Sequence, residues 1–167
     1  MTAFGPKDAD AWYERNKHKL GVGEDPVFNA IEALDVKPER VLEFGCANGW
    51  RLDRLLERFH CDVRGVEISK KARADASSQF DIHAKPPIWR FGRGIIGYPH
   101  YDMIIHGFDL YVANPQRLFE RVWSDDMMLL DGGHIVIHDF LPDHPYSRIF
   151  EHNKKLRSRK CDHAQLW

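Results

Sequence analysis

The chain has 167 residues, a formal net charge of −1 and 43% hydrophobic residues. A chain of this length is expected to form one domain whose core needs no disulfide or metal for stability. The nearly balanced charge gives no overall attraction to a phosphate backbone, so nucleic acid is not an expected partner. The three cysteines form an odd set without C-x-x-C spacing, which argues against a disulfide framework and a zinc knuckle.

The sequence shows neither a membrane span nor a secretion signal. No stretch reaches the roughly 20 apolar residues that a transmembrane helix needs. The beginning of the sequence, MTAFGPKDADAWYERNKHK, lacks the apolar centre of a signal peptide. We therefore expect a cytoplasmic protein that does not contact a membrane.

Hydrophobic periodicity alternates between short strand-like runs and longer helical ones, a pattern typical of repeated strand–helix units. Two helices are predicted first, and the second is opened by Asp25 as a cap and by Pro26 at the first helical position. The predicted helices are 9–19, 25–34, 50–59, 70–77 and 115–123, and the predicted strands are 41–44, 63–67, 79–83, 101–106 and 135–138. Residues 85–100 contain three glycines and three prolines and fit no period, so we predict a connection without regular structure. Five strands with helices between them predict an α/β fold with a parallel sheet.

The stretch VLEFGCANGWRL combines an acid at the end of the first strand, Glu43, with small residues at Gly45, Ala47 and Gly49. A strand that turns directly into a helix exposes backbone N–H groups, and small residues let a ligand approach them. A dinucleotide fingerprint would need glycine where Trp50 stands, and the Gly-Lys-Ser/Thr of a phosphate loop is absent. The remaining pattern suits an amino-acid-like ligand that bears an ammonium and a sulfonium group.

Three segments resemble the motifs of the class I S-adenosylmethionine-dependent methyltransferases, over residues 41–140. LEFGCANGWRL is similar to the first motif of that family, and VRGVEISKKA to its second strand with the acid Glu67. YDMIIHGFDLYVANPQRLFERVWSDDMMLLDGGHIVIHDF is similar to its fourth strand, the next helix, a glycine turn and the fifth strand. The resemblance implies a Rossmann-like, doubly wound, mostly parallel sheet of about five strands in the order 3-2-1-4-5. It also implies S-adenosylmethionine as the cofactor.

The resemblance assigns cofactor contacts to particular residues. Glu43 would hold the methionine ammonium, directly or through water, and Glu67 would accept hydrogen bonds from two ribose hydroxyls. Ile68 would lie against the adenine or belong to the ordinary core. The other expected cofactor-binding residues are Gly45, Cys46, Ala47, Gly49 and His106. A contact from the third strand to the adenine amine would come from Asp81 or His83, depending on the register.

Methyl transfer is an in-line displacement, so the protein mainly has to align the acceptor with the methyl group, and a base is optional. Histidine suits proton acceptance because of its near-neutral pKa. The candidate catalytic residues are therefore His106, His138 and Asp139, and each of them is also explained by an ordinary hydrogen bond at a strand end. Asp109 and Tyr111 are candidate acceptor contacts. No metal site is predicted, because HDFLPDH contains acids but no Asp-Asn pair.

The whole chain is expected to be one methyltransferase-like domain with three parts. Residues 1–38 would form an N-terminal helical lid, 39–140 the cofactor-binding core and 141–167 an incomplete C-terminal part. The lid would use Trp12, Tyr13, Arg15 and Asn16, or this helix would simply pack Trp12 against the body of the domain.

The C-terminal part is predicted to lack most of the family's sixth and seventh strands. HPYSRIFEHNKKLRSRK is predicted as a helix and HAQLW as the beginning of a sixth strand. The fifth strand, HIVIH, would then be an unpaired apolar edge. We therefore expect a fragment of a longer product or self-association through this edge.

The expected activity is methyl transfer from S-adenosylmethionine to a small molecule, a sugar or another hydroxyl or amine acceptor. One alternative is a methyltransferase-like subunit that binds the cofactor without turnover. A second alternative is an RNA-binding module that uses the basic segment NKKLRSRKC, although such a run more often marks a solvated helix end.

Overall fold

The central element is a five-stranded parallel sheet with helices on both faces. The computed structural model describes residues 4–85 and 99–167, together with the backbone of 89–91 and 94–97. The strands are β1 (Arg40–Phe44), β2 (Asp62–Val66), β3 (Asp81–His83), β4 (Trp89–Phe91), β5 (Gly94–Gly97), β6 (Tyr101–Gly107), β7 (Leu129–His138), β8 (Tyr146–Ile149) and β9 (Arg157–Lys160). The order in the central sheet is β3-β2-β1-β6-β7, and every pair is parallel. This confirms the predicted Rossmann-like sheet with the order 3-2-1-4-5.

The helices follow the predicted order with shifted ends. They are α1 (Pro6–Asn16), α2 (Pro26–Ala33), α3 (Trp50–Phe59), α4 (Lys70–Ala74) and α5 (Leu118–Met128). Single 3-10 turns cover Lys17–Lys19, Leu110–Val112, Pro115–Arg117 and His163–Leu166. Asp25 caps α2 as predicted, because its Oδ1 accepts a hydrogen bond of 3.2 Å from Val27 N–H.

Two apolar layers cover the central strands, one on each face of the sheet. On the first face, α2 and α3 contribute Ile31 and Leu55, which pack with Val41 of β1. On the second face, Met128 of α5 packs with Leu42 of the same strand. Neighbouring residues of β1 thus face opposite layers, which explains why Val41 and Leu42 are both apolar and buried.

The prediction of no regular structure for residues 85–100 is wrong in part. The backbones of β4 and β5 pair in antiparallel fashion, with Phe91 opposite Gly94. Strands of three and four residues are too short for a period of two to show in the sequence. Residues 86–88, 92–93 and 98 lie outside the described residues.

The helix and the sixth strand predicted near the C-terminal end are also wrong. β8 and β9 form an antiparallel hairpin with Ile149 opposite Arg157, and HAQLW forms a 3-10 turn that Asp162 caps. Leu156, Ser158 and Lys160 are buried in alternation, and this period of two was hidden by the basic composition of the segment. The hairpin forms a sheet of its own and does not extend the central sheet, in which β7 is an edge strand.

Candidate functional site

A cavity of about 1100 Å³ lies at the carboxyl ends of β1, β2 and β6. Ligands of parallel α/β sheets commonly bind at this edge. The turn after each of the three strands contributes to the wall, and α1 and α5 close its sides. Predicted residues on the wall are Gly45, Ala47, Glu67, Ile68, Asp109, Tyr111, Trp12 and Tyr13.

The turn after β1 brings backbone to the cavity wall. Gly45 has a φ of +69° and Ala47 a φ of +52°, so both lie in the left-handed region. The N–H of Gly45 donates to the carbonyl of Val66 at 2.8 Å, which ties the turn to the end of β2. A Cβ at position 45 would lie 2.9 Å from the Cβ of Asp109, so only glycine fits between the two turns.

Two of the predicted small residues lie behind this turn and do not line the cavity. Cys46 is 1% exposed and belongs to the apolar layer between the sheet and α3. Gly49 has a φ of +78°, and a Cβ there would lie 2.5 Å from the ring of Phe80. Packing of the protein against itself therefore accounts for the small residue at position 49.

Glu67 follows β2 and faces the cavity with its carboxylate fixed in place. Oε2 accepts a hydrogen bond of 3.0 Å from Ala47 N–H, and Oε1 accepts one of 2.6 Å from Ser69 N–H. Burial raises the pKa of this carboxyl, against the lowering effect of the two N–H donors. Each oxygen keeps a second lone pair, so the carboxylate can still accept hydrogen bonds from a ligand.

Glu43 is 1% exposed and lies behind the cavity wall. Its Oε1 forms an ion pair with Arg51, whereas its Oε2 has no hydrogen-bond partner among the residues that the structure describes. A Cβ at Gly107, which does line the cavity, would lie 3.4 Å from Oε1. Burial raises the pKa of Glu43 and Arg51 opposes this shift.

His106 is fully buried and stands between two carboxylates. Its Nδ1 lies 3.1 Å from Asp109 Oδ1 and its Nε2 lies 3.0 Å from Asp125 Oδ2. Burial lowers the pKa of His106, but the two carboxylates together raise it to about 9. The ring is therefore charged at neutral pH, donates from both nitrogens and does not line the cavity. Its predicted role as a base stays a prediction, which this geometry does not support.

His138 and Asp139 lie at the end of β7, away from the cavity wall. Burial and the nearby Arg51 lower the pKa of His138, whose ring centroid lies 4.5 Å from that of Phe108. Asp139 accepts hydrogen bonds from the N–H groups of Tyr111, at 2.9 Å, and Phe140, at 2.7 Å. These bonds fix the chain after β6 against the end of β7, and the catalytic assignments of both residues stay predictions.

Helix α1 covers one side of the cavity and is tied to α4. Tyr13 donates to Asp75 at 3.0 Å, and Ser69 donates to Asp10 at 2.7 Å. Trp12 and Tyr13 line the cavity, whereas Arg15 and Asn16 do not. The third-strand candidates, Asp81 and His83, also lie off the wall.

Sequence reasoning missed several residues that shape the site. Arg51 lies within the first motif, and a charged residue beside the apolar Leu52 and Leu55 of the same helix was a signal. Gly107 and Phe108 end the β6 run, and Phe108 has a φ of +55° that no sequence pattern shows. Arg121 lines the cavity and donates to Asp109 at 3.1 Å.

Two classes of feature are absent from the described part of the chain. None of its helices is long and apolar enough to cross a membrane. Within residues 4–85 and 99–167, no group of three His, Cys, Asp or Glu side chains could hold a metal ion.

Comparison with known proteins gives a family and a set of similar structures. The model of a methyltransferase domain family matches residues 24–167. The sugar N-methyltransferase KedS8 from Streptoalloteichus sp. ATCC 53650 is 24% identical over 84% of this chain and 60% of its own, with a TM-score of 0.57. CalS10 from Micromonospora echinaspora, an amino pentose methyltransferase with bound S-adenosylmethionine, is 18% identical over 82% of this chain and 62% of its own, with a TM-score of 0.57.

A third structure is similar over more of the chain. The 1,6-didemethyltoxoflavin-N1-methyltransferase of Burkholderia thailandensis, crystallised with 1,6-didemethyltoxoflavin and S-adenosylhomocysteine, is 17% identical with a TM-score of 0.71. The alignment covers 96% of this chain and 72% of that one. The chain spans 60% of the length of KedS8 and 62% of that of CalS10. A search of curated proteins found no match.

Proposed function

The chain belongs to the methyltransferase domain family, and we propose that it transfers a methyl group from S-adenosylmethionine to a small molecule. The observation that carries the proposal is the position of Glu67. Its fixed carboxylate faces a cavity that also reaches the left-handed turn after β1. A ligand with vicinal hydroxyls and an amino-acid tail would engage both parts of this wall at once.

The residues present fit this cofactor. A Cβ at position 45 would fill the space between the turns after β1 and β6, and glycine leaves that backbone accessible. Behind the wall, Oε2 of Glu43 is a buried acceptor without a partner among the described residues, and an ammonium group would satisfy it. Ile68 offers an apolar surface beside Glu67 for a planar base.

S-adenosylmethionine supplies an activated methyl group when bound, so the chain itself has to bind and align the acceptor. We assign this role to the turn after β6, where Phe108, Asp109 and Tyr111 line the cavity opposite Trp12 of α1. Asp109 is held by His106 and Arg121, which keep its carboxylate ionised because both lower its pKa against the effect of burial. A hydroxyl or amine acceptor could donate a hydrogen bond to this carboxylate.

The acceptor is proposed to be a sugar or another small molecule with a hydroxyl or an amine. The sugar and toxoflavin enzymes named above support this range, as both are N-methyltransferases. The basic C-terminal segment gives less support to RNA binding, because Lys160 lies over the ring of Phe140, with its Nζ 3.3 Å from the centroid, and Arg157 donates to Ser147.

Isothermal titration calorimetry with S-adenosylmethionine and S-adenosylhomocysteine tests the proposed cofactor site. Glu67→Ala removes the acceptor for the ribose hydroxyls and should weaken binding at least about tenfold, since roughly 1.4 kcal/mol corresponds to one decade of affinity. Glu57→Ala, an exposed acid on α3, is the control and should bind as the unchanged protein does. Unchanged affinity in a folded Glu67→Ala variant would refute the ribose assignment.

A methyl-transfer assay beside the titration separates the enzyme from a binding subunit. Tight binding of both compounds, with methyl transfer to a member of a sugar and amine panel, supports the enzyme. Tight binding with no turnover on any acceptor supports the subunit. The absence of binding would refute the proposed function itself.

A further inference from the structure

The strongest unexplained feature beside the cavity is a buried triad of charged residues, formed by Asp25, Glu43 and Arg51. Their exposed fractions are 4%, 1% and 6%, respectively. Asp25 comes from the beginning of α2, Glu43 from β1 and Arg51 from the first turn of α3. Three separate elements therefore place one cation between two carboxylates in the interior of the domain.

The two contacts of Arg51 differ in kind. Asp25 binds the guanidinium through both oxygens, with Nε to Oδ2 at 2.6 Å and Nη2 to Oδ1 at 3.2 Å. Such a two-point contact fixes the plane of the guanidinium. The remaining nitrogen, Nη1, then donates to Oε1 of Glu43. Asp25 therefore fixes the position of Arg51, and Arg51 in turn fixes the position of Glu43.

The triad leaves one acceptor and one negative charge in excess. Two carboxylates and one guanidinium carry a net charge of −1, and Oε2 of Glu43 is the buried oxygen without a partner among the described residues. An uncompensated buried charge is costly unless a ligand pairs with it. Glu43 can therefore accept one additional hydrogen bond from a cationic group.

Gly107 connects this triad with the cavity. A Cβ at position 107 would lie 2.8 Å from Arg51 Nη1 and 3.4 Å from Glu43 Oε1, and the same glycine lines the cavity. Only a residue without a side chain lets the ion pair lie directly behind the wall. The excess charge therefore acts on whatever occupies the part of the cavity next to Gly107.

We propose that Arg51, held by Asp25, is a positioning residue that fixes the Glu43 carboxylate behind the wall at Gly107, where the net negative charge of the triad attracts the ammonium group of the cofactor. This inference rests on the proposed function, because it needs S-adenosylmethionine in the cavity. It assigns the specificity for the amino-acid end of the cofactor to an arginine that does not line the cavity.

The ionised form of Glu43 depends on its charged surroundings. Burial raises the pKa of this carboxyl and Arg51 is the group that lowers it. Titratable and charged groups that act on Glu43 or on its partner are Arg51, Asp25, Asp109, Cys46 and His138. Loss of Arg51 would leave two carboxylates without their cation, so Glu43 would take up a proton at higher pH than it does beside Arg51.

The experiment compares two probes in the whole chain. S-adenosylhomocysteine carries the amino-acid end, whereas 5′-methylthioadenosine keeps the nucleoside and lacks the ammonium. Arg51→Gln should weaken S-adenosylhomocysteine about tenfold and leave 5′-methylthioadenosine within about twofold. The affinity of Arg51→Gln for S-adenosylhomocysteine should also begin to fall at a higher pH than that of the unchanged chain, because a protonated Glu43 no longer attracts the ammonium.

Two further variants make the result decisive. Glu43→Gln should also weaken S-adenosylhomocysteine more than 5′-methylthioadenosine, but without the pH dependence. Arg51→Lys should recover part of the affinity for S-adenosylhomocysteine, because it keeps the charge but not the two-point contact. Equal weakening of both probes in Arg51→Gln, or no weakening of either, would overturn the proposal. Should Arg51→Gln fail to fold, the ratio of the two affinities in Asp25→Asn decides in the same way. If the unchanged chain bound neither probe, the proposed function would fail first.

Discussion

At the scale of single residues, glycines and acidic side chains determine the shape and charge of the cavity wall. Glu67 and Gly45 were predicted from the sequence because each stands at a fixed place after an apolar strand. Both line the cavity, and their contacts with the cofactor stay a prediction. The partner of Arg51 could not be found in this way. Asp25, the N-cap of α2, lies 26 residues before Arg51 of α3. No local sequence pattern relates a residue at the beginning of one helix to a charged residue in the next.

Gly45→Ala tests the close approach of the two turns. Strain at a φ of +69° and a Cβ contact of 2.9 Å to Asp109 should together lower the free energy of unfolding by roughly 2–4 kcal/mol. The same change should abolish calorimetric binding of S-adenosylhomocysteine, since the added methyl group pushes the turn into the cavity.

Gly132→Ala is the matched control for this variant. Gly132 has a φ of +78°, and a Cβ there meets nothing within 4 Å. Urea unfolding should show a loss of only about 1 kcal/mol, from backbone strain alone, with cofactor affinity unchanged. Equal losses of the free energy of unfolding in both variants would mean that the Cβ contact with Asp109 does not destabilise Gly45→Ala.

At the scale of elements, His106 connects β6 with the helix that follows it. Its two nitrogens reach Asp109, just after the strand, and Asp125 in α5. Phe44 of β1 stacks on the ring with centroids 5.1 Å apart and an interplanar angle of 4°. A charged histidine in this position holds together the elements that form one wall of the cavity.

This charged contact predicts a pH dependence of stability. The pKa of His106 is raised to about 9 in the folded chain from an ordinary value of about 6.5. Its contribution is therefore complete below about pH 6.5 and is lost as the pH rises through about 9. From pH 7 to 9.5, the free energy of unfolding should fall by roughly 1–3 kcal/mol more in the unchanged protein than in His106→Gln.

His18→Gln is the control, because His18 is exposed on the 3-10 turn after α1. Its urea-unfolding profile should follow that of the unchanged protein over this pH range. Parallel profiles for the unchanged protein and His106→Gln would show that the imidazole is not held in its charged form.

Elements could be predicted where the buried positions carry apolar residues. β1 and β6 were predicted nearly to the residue, since both are covered on two faces and bounded by charged or small residues. The C-terminal hairpin was not, because its buried face uses Ser158 and the stem of Lys160, which look polar in a sequence. β9 packs against the 3-10 turn Leu110–Val112, which follows β6. This tertiary contact favours the hairpin over the helix that the composition predicts.

At the scale of the whole molecule, the cavity lies between the carboxyl ends of the parallel sheet, helix α1 and helix α5. Asn153, between β8 and β9, donates to Asp8 of α1 at 2.8 Å, so the hairpin and the helix support each other. Helix α1 covers one side of the cavity, whereas α2 packs against the sheet, and the assignment of residues 1–38 as a lid over a core of residues 39–140 stays a prediction. Self-association through the β7 edge stays a prediction.

The crystal structure of the chain with S-adenosylhomocysteine tests the proposed cofactor site most directly. The ribose hydroxyls should lie within about 3.2 Å of the Glu67 carboxylate, with the ammonium in the part of the cavity beside Gly107. Electron density for the ligand outside the cavity at β1, β2 and β6, or inside it with the ribose away from Glu67, would contradict the proposed site.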